Sequence, residues 1–278
     1  MELSWFQSCI LGLFSGLLDI APVSADAHSV LLLKFFGVKA SSDLMRLLIH
    51  IAIFAALYYC SQSQLIRMKR ARTLARVPKR KRKRPLDIRS MMDWSMLKTM
   101  LIPAAIGVFL RQYTLDLQAN LMLISVFLFI NGLILYVPQF FPTSNRDSRT
   151  LSRIEGLLMG LGGAVSAIPG ISAIGATTSI ASVCGVDRTY GLNMALMMNM
   201  GITLGLIIYD VLGILTNGFG SFSFGILIQY LLSAAAAFGG AMFGIKWMRR
   251  LASGHGFSVF GVYCWGLALF TFILNLIA

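Results

Sequence analysis

Ala21-Pro22-Val23-Ser24-Ala25-Asp26-Ala27-His28 interrupts an apolar stretch that otherwise runs from about residue 5 to residue 37. A second apolar stretch, roughly 154–186, is broken in the same way by Ile168-Pro169-Gly170-Ile171-Ser172-Ala173-Ile174-Gly175-Ala176-Thr177. Proline removes a helical hydrogen bond and its ring clashes with the preceding turn, so neither stretch reads as one unbroken helix. In hydrocarbon the freed backbone groups find no water and must be satisfied inside the protein. A re-entrant helical hairpin with its tip buried near mid-membrane meets both constraints.

Working outward, hydropathy places further spans at about 43–60, 95–113, 119–140, 189–215, 222–248 and 256–277. Each approaches the ~20 residues needed to cross ~30 Å of hydrocarbon. The composition agrees, with 57% hydrophobic and 13% charged residues, against roughly a quarter charged in an ordinary soluble domain. Three spans follow each hairpin, and an odd number turns the second half upside down. The hairpin openings also correspond, Gly12-Leu13-Phe14-Ser15-Gly16 with Gly156-Leu157-Leu158-Met159-Gly160. The fold expected is an all-α integral membrane protein with one membrane domain over 1–278. It comprises two inverted-topology repeats, 1–140 and 141–278, each a re-entrant hairpin (5–37 and 154–186) plus three transmembrane helices. Paired broken segments in such repeats point to a midplane binding site.

Charge sets the orientation. The net charge is +13, and 12 of the 24 Lys and Arg fall between Arg67 and Arg89 against one acid, Asp87. Between two spans this reads as a cytoplasmic basic loop, 61–94, lying against anionic headgroups rather than as a nucleic-acid site. The loops 141–153 (Arg146, Arg149, Arg153) and 246–255 (Lys246, Arg249, Arg250) then fall on the same side. The opposite side is weakly charged: Arg111 with Asp116, nothing from Thr216 to Ser221, and Lys34, Lys39 and Arg46 as a mild exception. No cleavable leader is expected, because Met1-Glu2-Leu3-Ser4-Trp5 lacks a basic n-region. The four cysteines are scattered in apolar contexts and read as core residues.

The first hairpin, from Gly12 through Asp19 to His28, resembles the signature of the undecaprenyl-pyrophosphate phosphatases, the bacitracin-resistance family. That signature is Glu-Gly-x-x-Glu followed by Leu-Pro-Val-Ser-Ser-Thr-Gly-His. The second, Pro169-Gly170-Ile171-Ser172-Ala173-Ile174-Gly175-Ala176-Thr177, resembles the family's Pro-Gly-x-Ser-Arg-Ser-Gly-x-Thr. Ile102-Pro103-Ala104, Gly107 and Leu48-Ile49-His50-Ile51 also fit, so the resemblance covers essentially the whole chain. It implies hydrolysis of undecaprenyl diphosphate to undecaprenyl phosphate on the outer face of a bacterial plasma membrane. That reaction recycles the carrier lipid of peptidoglycan synthesis, with Mg²⁺ or Ca²⁺ as cofactor. A polyprenyl diphosphate, anionic membrane lipids and a second copy of the chain are the partners expected, without nucleic acid.

The site is edited. Ser15 and Asp19 stand where the family has its two glutamates; Ala25, Asp26 and Ala27 replace Ser, Thr and Gly; Ala173 and Ile174 replace the phosphate-clamping Arg and the following Ser. By resemblance His28 is base or nucleophile beside Ser24, and Ser172, Thr177 and Gly170 bind substrate. Asp19 and Asp26 substitute for the glutamate pair as metal ligands. Other readings of the same residues stand beside these. Asp19 and Asp26 suit capping of broken helix ends, and Gly170 and Gly175 suit turns. His50 and Arg46 lie one helical turn apart and within reach of the cavity, and Asn131, Asn193 and Asn199 suit interhelical hydrogen bonding. The alternative function is a catalytically inactive relative that binds or translocates a polyprenyl phosphate or other amphiphile, with a small-solute transporter as a more distant third.

Overall fold

The computed structural model describes residues 3–38, 41–82, 84–142, 144–218, 223–253 and 257–277, and of Leu115 the backbone alone. Lys39, Lys83, residues 219–221 of the neutral connection, residues 254–255 of the 246–255 loop, and Met1 and Glu2 lie outside the described residues. Among those described there are ten α-helices and no strand. They are α1 (Trp5–Ile20), α2 (Ala25–Phe35), α3 (Asp43–Ala75), α4 (Ile88–Thr114), α5 (Leu121–Tyr136), α6 (Arg153–Ala164), α7 (Ala173–Val183), α8 (Arg188–Asn217), α9 (Phe224–Ala252) and α10 (Ser258–Ile277).

Six of these, α3, α4, α5, α8, α9 and α10, are long and apolar enough to cross a membrane, and the chain is a multi-pass membrane protein. Helix α1, at 16 residues, extends about 24 Å at 1.5 Å per residue, short of the hydrocarbon thickness. Helices α2, α6 and α7 are shorter still. These four short helices form the two interrupted stretches, and their boundaries follow local chemistry. Ser4 with Gln7 and Ser152 with Glu155 form capping boxes that start α1 and α6. Pro22 and Pro169 sit in the turns, and Ser24 and Ser172 restart the chain as N-caps of α2 and α7.

One boundary differs from expectation. The basic connection expected over 61–94 is mostly helix: α3 continues to Ala75 and α4 begins at Ile88. Ser61, Gln62, Ser63, Gln64 and Arg67 end the apolar pattern, but Gln, Leu, Met, Lys and Arg are good helix formers, so the backbone continues past the hydrophobic segment. Asp87 then accepts hydrogen bonds from the Ser90 amide at 3.0 Å and hydroxyl at 2.6 Å in the first turn of α4.

Close backbone approach holds the short helices against long ones. Helix α1 packs along α9, and α6 packs along α4. A side chain at Gly16 would collide with the backbone of Ala237 on α9, and one at Gly107 of α4 would collide with that of Ala164 on α6. Helix α5 packs on α10, while α3 lies against both α8 and α9. Large apolar side chains such as Ile102, Phe109, Phe243 and Leu269 cover the outside, as lipid-facing surfaces require.

At the basic end, Arg146 joins the α5–α6 connection to α6 and α7 by donating to Glu155 at 2.7 Å and to the Cys184 carbonyl at 2.6 Å. Hydrogen bonds from the Arg149 side chain hold the Asp147 carboxyl below the usual carboxylate range.

Candidate functional site

Each of the two short-helix turns is open at its proline, and each is completed by the other. Ser24 Oγ accepts from its own helix at Ala27 N, 3.3 Å, and from the second turn at Gly170 N, 3.0 Å. In return Ser172 Oγ donates to the Ala21 carbonyl at 3.3 Å and accepts from Gly175 N at 3.1 Å. Asn131 of α5 spans the pair, donating to the Pro22 carbonyl at 3.2 Å and accepting from Ser172 N at 3.0 Å. Gly170 has φ +114°, and a side chain there would run into Phe127. This web satisfies the backbone groups that the prolines release, as a chain buried in an apolar bundle requires.

Beside the joined turns lies a cavity of about 570 Å³. It is walled by α1, α2, α3, α4, α8 and the α6–α7 turn, and by the α2–α3 and α4–α5 connections. Those connections lie at the far ends of α3 and α4 from the basic residues 67–89, so the cavity occupies the opposite end of the bundle. Leu11, Leu18, Ile53, Ile171, Ile202 and Leu206 give it apolar walls, among which charged side chains are concentrated.

Three polar groupings and Lys34 of α2 make up the charge. Asp26, in the first turn of α2, accepts two hydrogen bonds from the Arg111 guanidinium of α4, both at 2.7 Å. Asp19, in the last turn of α1, accepts from the Asn199 amide of α8 at 2.8 Å. The Asp210 carboxylate, 3% exposed on α8, meets two residues of α3: His50 Nδ1 at 2.5 Å and Arg46 Nε at 3.6 Å. Arg46 also reaches back to Asp43 at 2.6 Å.

The expected site residues divide. Ser24, Ser172, Asp19 and Asp26 line the cavity. Gly170 adjoins it through its bond to Ser24. Thr177 is fully buried and donates to the Met159 carbonyl at 3.1 Å, bracing α7 on α6 away from the cavity. His28 is also absent from the cavity wall. Its Nδ1 meets the Ser24 carbonyl at 2.6 Å and its Nε2 the Tyr263 hydroxyl of α10 at 2.8 Å. A carbonyl only accepts, so Nδ1 carries the proton and Nε2 accepts from tyrosine. Ser15 and Ala173 line the cavity too, so the positions of the family's first glutamate and its arginine face it without charge.

Asp210 is the residue that sequence reasoning missed. It is the one acid between Arg188 and Asn217, and an ionisable group inside so apolar a helix is itself a signal of function. Asn199 serves as interhelical glue, as read from sequence, and its partner is Asp19.

The donor set does not fit the Mg²⁺ or Ca²⁺ expected. No group of three or more His, Cys, Asp or Glu side chains able to hold a metal ion occurs among the described residues. Hard divalent cations take about six or more oxygens, whereas both Asp26 oxygens face a guanidinium and Asp19 is engaged by an amide.

Comparison with known proteins bears on the whole chain. The family model described as bacitracin resistance protein BacA matches residues 8–270. An undecaprenyl-diphosphatase of Methanobrevibacter smithii is 26% identical over 274 residues, covering 96% of each chain. One from a Nocardioides species is 25% identical over 275 residues, covering 97% of this chain and 96% of its own. Undecaprenyl-diphosphatase 1 of Shouchella clausii is 24% identical over 282 residues, covering 98% and 97%.

Proposed function

The chain belongs to the bacitracin resistance protein BacA family, and from that premise we propose that it hydrolyses undecaprenyl diphosphate to undecaprenyl phosphate and orthophosphate. The observation that carries the reading is the cavity, where Arg111, Arg46 and Lys34 stand among apolar walls. A diphosphate needs its charge met by cations, and an isoprenyl chain needs a surface without polar demand. A guanidinium about 4 Å from a phosphate charge contributes about 4 kcal/mol at an effective dielectric of ~20.

Arg111 takes the part of the phosphate clamp that the resemblance assigns to the position of Ala173. Asp26 holds it in place: the bidentate geometry fixes the guanidinium plane, and a negative residue suits the first turn of α2. Substrate phosphate competes with Asp26 for the same donors, so binding loosens this pair. Ser24, Ser172 and Gly170 act by keeping the two turns joined under the headgroup, with both serines in the cavity wall. A cation brought in with the substrate would have to draw Asp26 from Arg111.

Two inverted repeats fit the packing, because α1 on α9 mirrors α6 on α4, and the caps Ser4 and Ser24 match Ser152 and Ser172. The short helix pairs are then re-entrant hairpins. With the basic α3–α4 connection on the cytoplasmic face against anionic lipid, the cavity opens outward from a bacterial plasma membrane. A carrier-lipid diphosphate released on that side would meet it there.

The test is phosphate release by purified protein from undecaprenyl diphosphate in detergent or vesicles, with and without Mg²⁺ or Ca²⁺. Release by the wild type is expected to fall by about 10²–10³ in Arg111→Ala, as for loss of one preorganised contact to a reacting charge. No release by the wild type under any of these conditions would reject the reading and favour a binding or translocating relative.

A further inference from the structure

The two described histidines have opposite surroundings. His28 uses both ring nitrogens within the protein, on the Ser24 carbonyl and the Tyr263 hydroxyl, and does not line the cavity. His50 uses one. Its Nδ1 is held by Asp210 at 2.5 Å, its side chain is 20% exposed, and the residue lines the cavity. Nε2 has no partner among the described residues and is not among the buried unpaired atoms, so it is open to the cavity.

We propose that His50, oriented by Asp210, is the general base of this chain, an inference that rests on the phosphatase reading. An ionised carboxylate can only accept a hydrogen bond, so Asp210 places the proton of a neutral imidazole on Nδ1 and leaves the Nε2 lone pair facing the cavity. Arg46 stands 3.6 Å from the other oxygen of Asp210, so the carboxylate bridges a cation and the imidazole. Asp43 fixes Arg46 in turn, so the chain from Asp43 through Arg46 and Asp210 to His50 sets the ring from behind. The pairing joins α3 to α8, residues 160 apart in sequence. It lies on the same cavity as Arg111, which meets the phosphate charge.

The step balances without a further reactant. Water attacks the terminal phosphorus and gives one proton to Nε2, forming the new P–O bond. The bond from that phosphorus to the bridging oxygen breaks, and its electron pair stays on the oxygen, now part of the lipid monophosphate. Orthophosphate leaves, and the proton passes from Nε2 to solvent in the cavity. During the step the imidazolium is stabilised by Asp210 on its other nitrogen, the arrangement that lets a carboxylate support a histidine base.

The experiment measures kcat and KM for phosphate release from undecaprenyl diphosphate by the full chain, comparing the wild type with His50→Gln, Asp210→Asn and His28→Gln. General-base removal is expected to lower kcat about 10²–10⁴-fold in His50→Gln, with KM within about threefold. Asp210→Asn, whose amide can donate to Nδ1 and so put the imidazole proton on Nε2, is expected to lower kcat by more than about tenfold although His50 remains. His28→Gln is expected to cost less than about tenfold, through the lost brace between α2 and α10. Imidazole added to His50→Ala is expected to restore part of the rate, a recovery that a purely structural histidine would not show. A His50→Gln enzyme with kcat within about threefold of an active wild type would overturn the inference and leave the phosphatase reading standing. So would a larger loss in His28→Gln than in His50→Gln, or His50→Ala that gains nothing from imidazole. A wild type that releases no phosphate overturns both.

Discussion

The turn between α1 and α2 and the turn between α6 and α7 are built alike but are electrically different. Each has a proline, each is restarted by a serine N-cap, and each serine reaches across to the other's backbone. The first carries Asp19 and Asp26 on its flanks, while the second presents Ser172, Ala173 and Ile174 without charge. Scaffold and chemistry are therefore separable here. The crossed serine bonds satisfy backbone and are indifferent to charge, whereas the two guanidinium groups come from α3 and α4, and one of them pairs with the charged turn.

The sharpest way to break this comparison is at the charged turn. Asp26→Ala leaves Arg111, 15% exposed, facing the cavity without its partner. A loss of about 3 kcal/mol is expected, at the lower edge for a broken buried pair because the cavity is open. Thermal or denaturant unfolding in detergent would measure it. The matching change at the uncharged turn, Ala173→Ser, is expected to stay within about 0.5 kcal/mol.

The shared scaffold responds more evenly. Ser24→Ala leaves the Gly170 amide unpaired and removes the cap of α2, and Ser172→Ala takes the hydroxyl from the Ala21 carbonyl and removes the cap of α7. Each is expected to cost about 1–3 kcal/mol in the same unfolding measurement. Unequal losses would mean that one turn supports the other. Gly170→Ala is expected to cost about 1 kcal/mol or more, since φ +114° is strained for any side chain.

The smallest effect lies far from both turns. The Asp147 carboxyl is held low by Arg149, so its folded value lies below its unfolded one. Its contribution is present above the ordinary carboxylate value of about 4 and is lost as pH falls through the lowered value. A small drop in melting temperature across that acid window, absent in Asp147→Asn, is the expected sign.

The scaffold was legible in the sequence because it rests on local rules. Apolar runs of membrane length gave the spans, and Pro22 with Ser24 and Pro169 with Ser172 marked where two of the stretches break. The overrun of α3 to Ala75 escaped because hydropathy marks the end of the apolar layer, not the end of hydrogen bonding along the backbone. The site was half legible. Asp19 and Asp26 stood out as acids in apolar stretches, but their partners Asn199 and Arg111 lie 180 and 85 residues away. Nothing in the pattern around His28 shows that the ring folds back on the Ser24 carbonyl and meets Tyr263, 235 residues on. His50 and Asp210 face each other only because α3 packs on α8. Register between distant helices decides such pairs, and one sequence does not contain it.

The proposed relocation of the phosphate-binding cation from the second turn to α4 is tested most directly by kcat/KM for phosphate release in Arg111→Ala and in the double variant Arg111→Ala/Ala173→Arg. Both positions line the same cavity, so the single variant is expected to fall about 10²–10³-fold and the double variant to recover at least about tenfold of that loss. An Arg111→Ala protein that retains the wild-type kcat/KM would contradict the relocation.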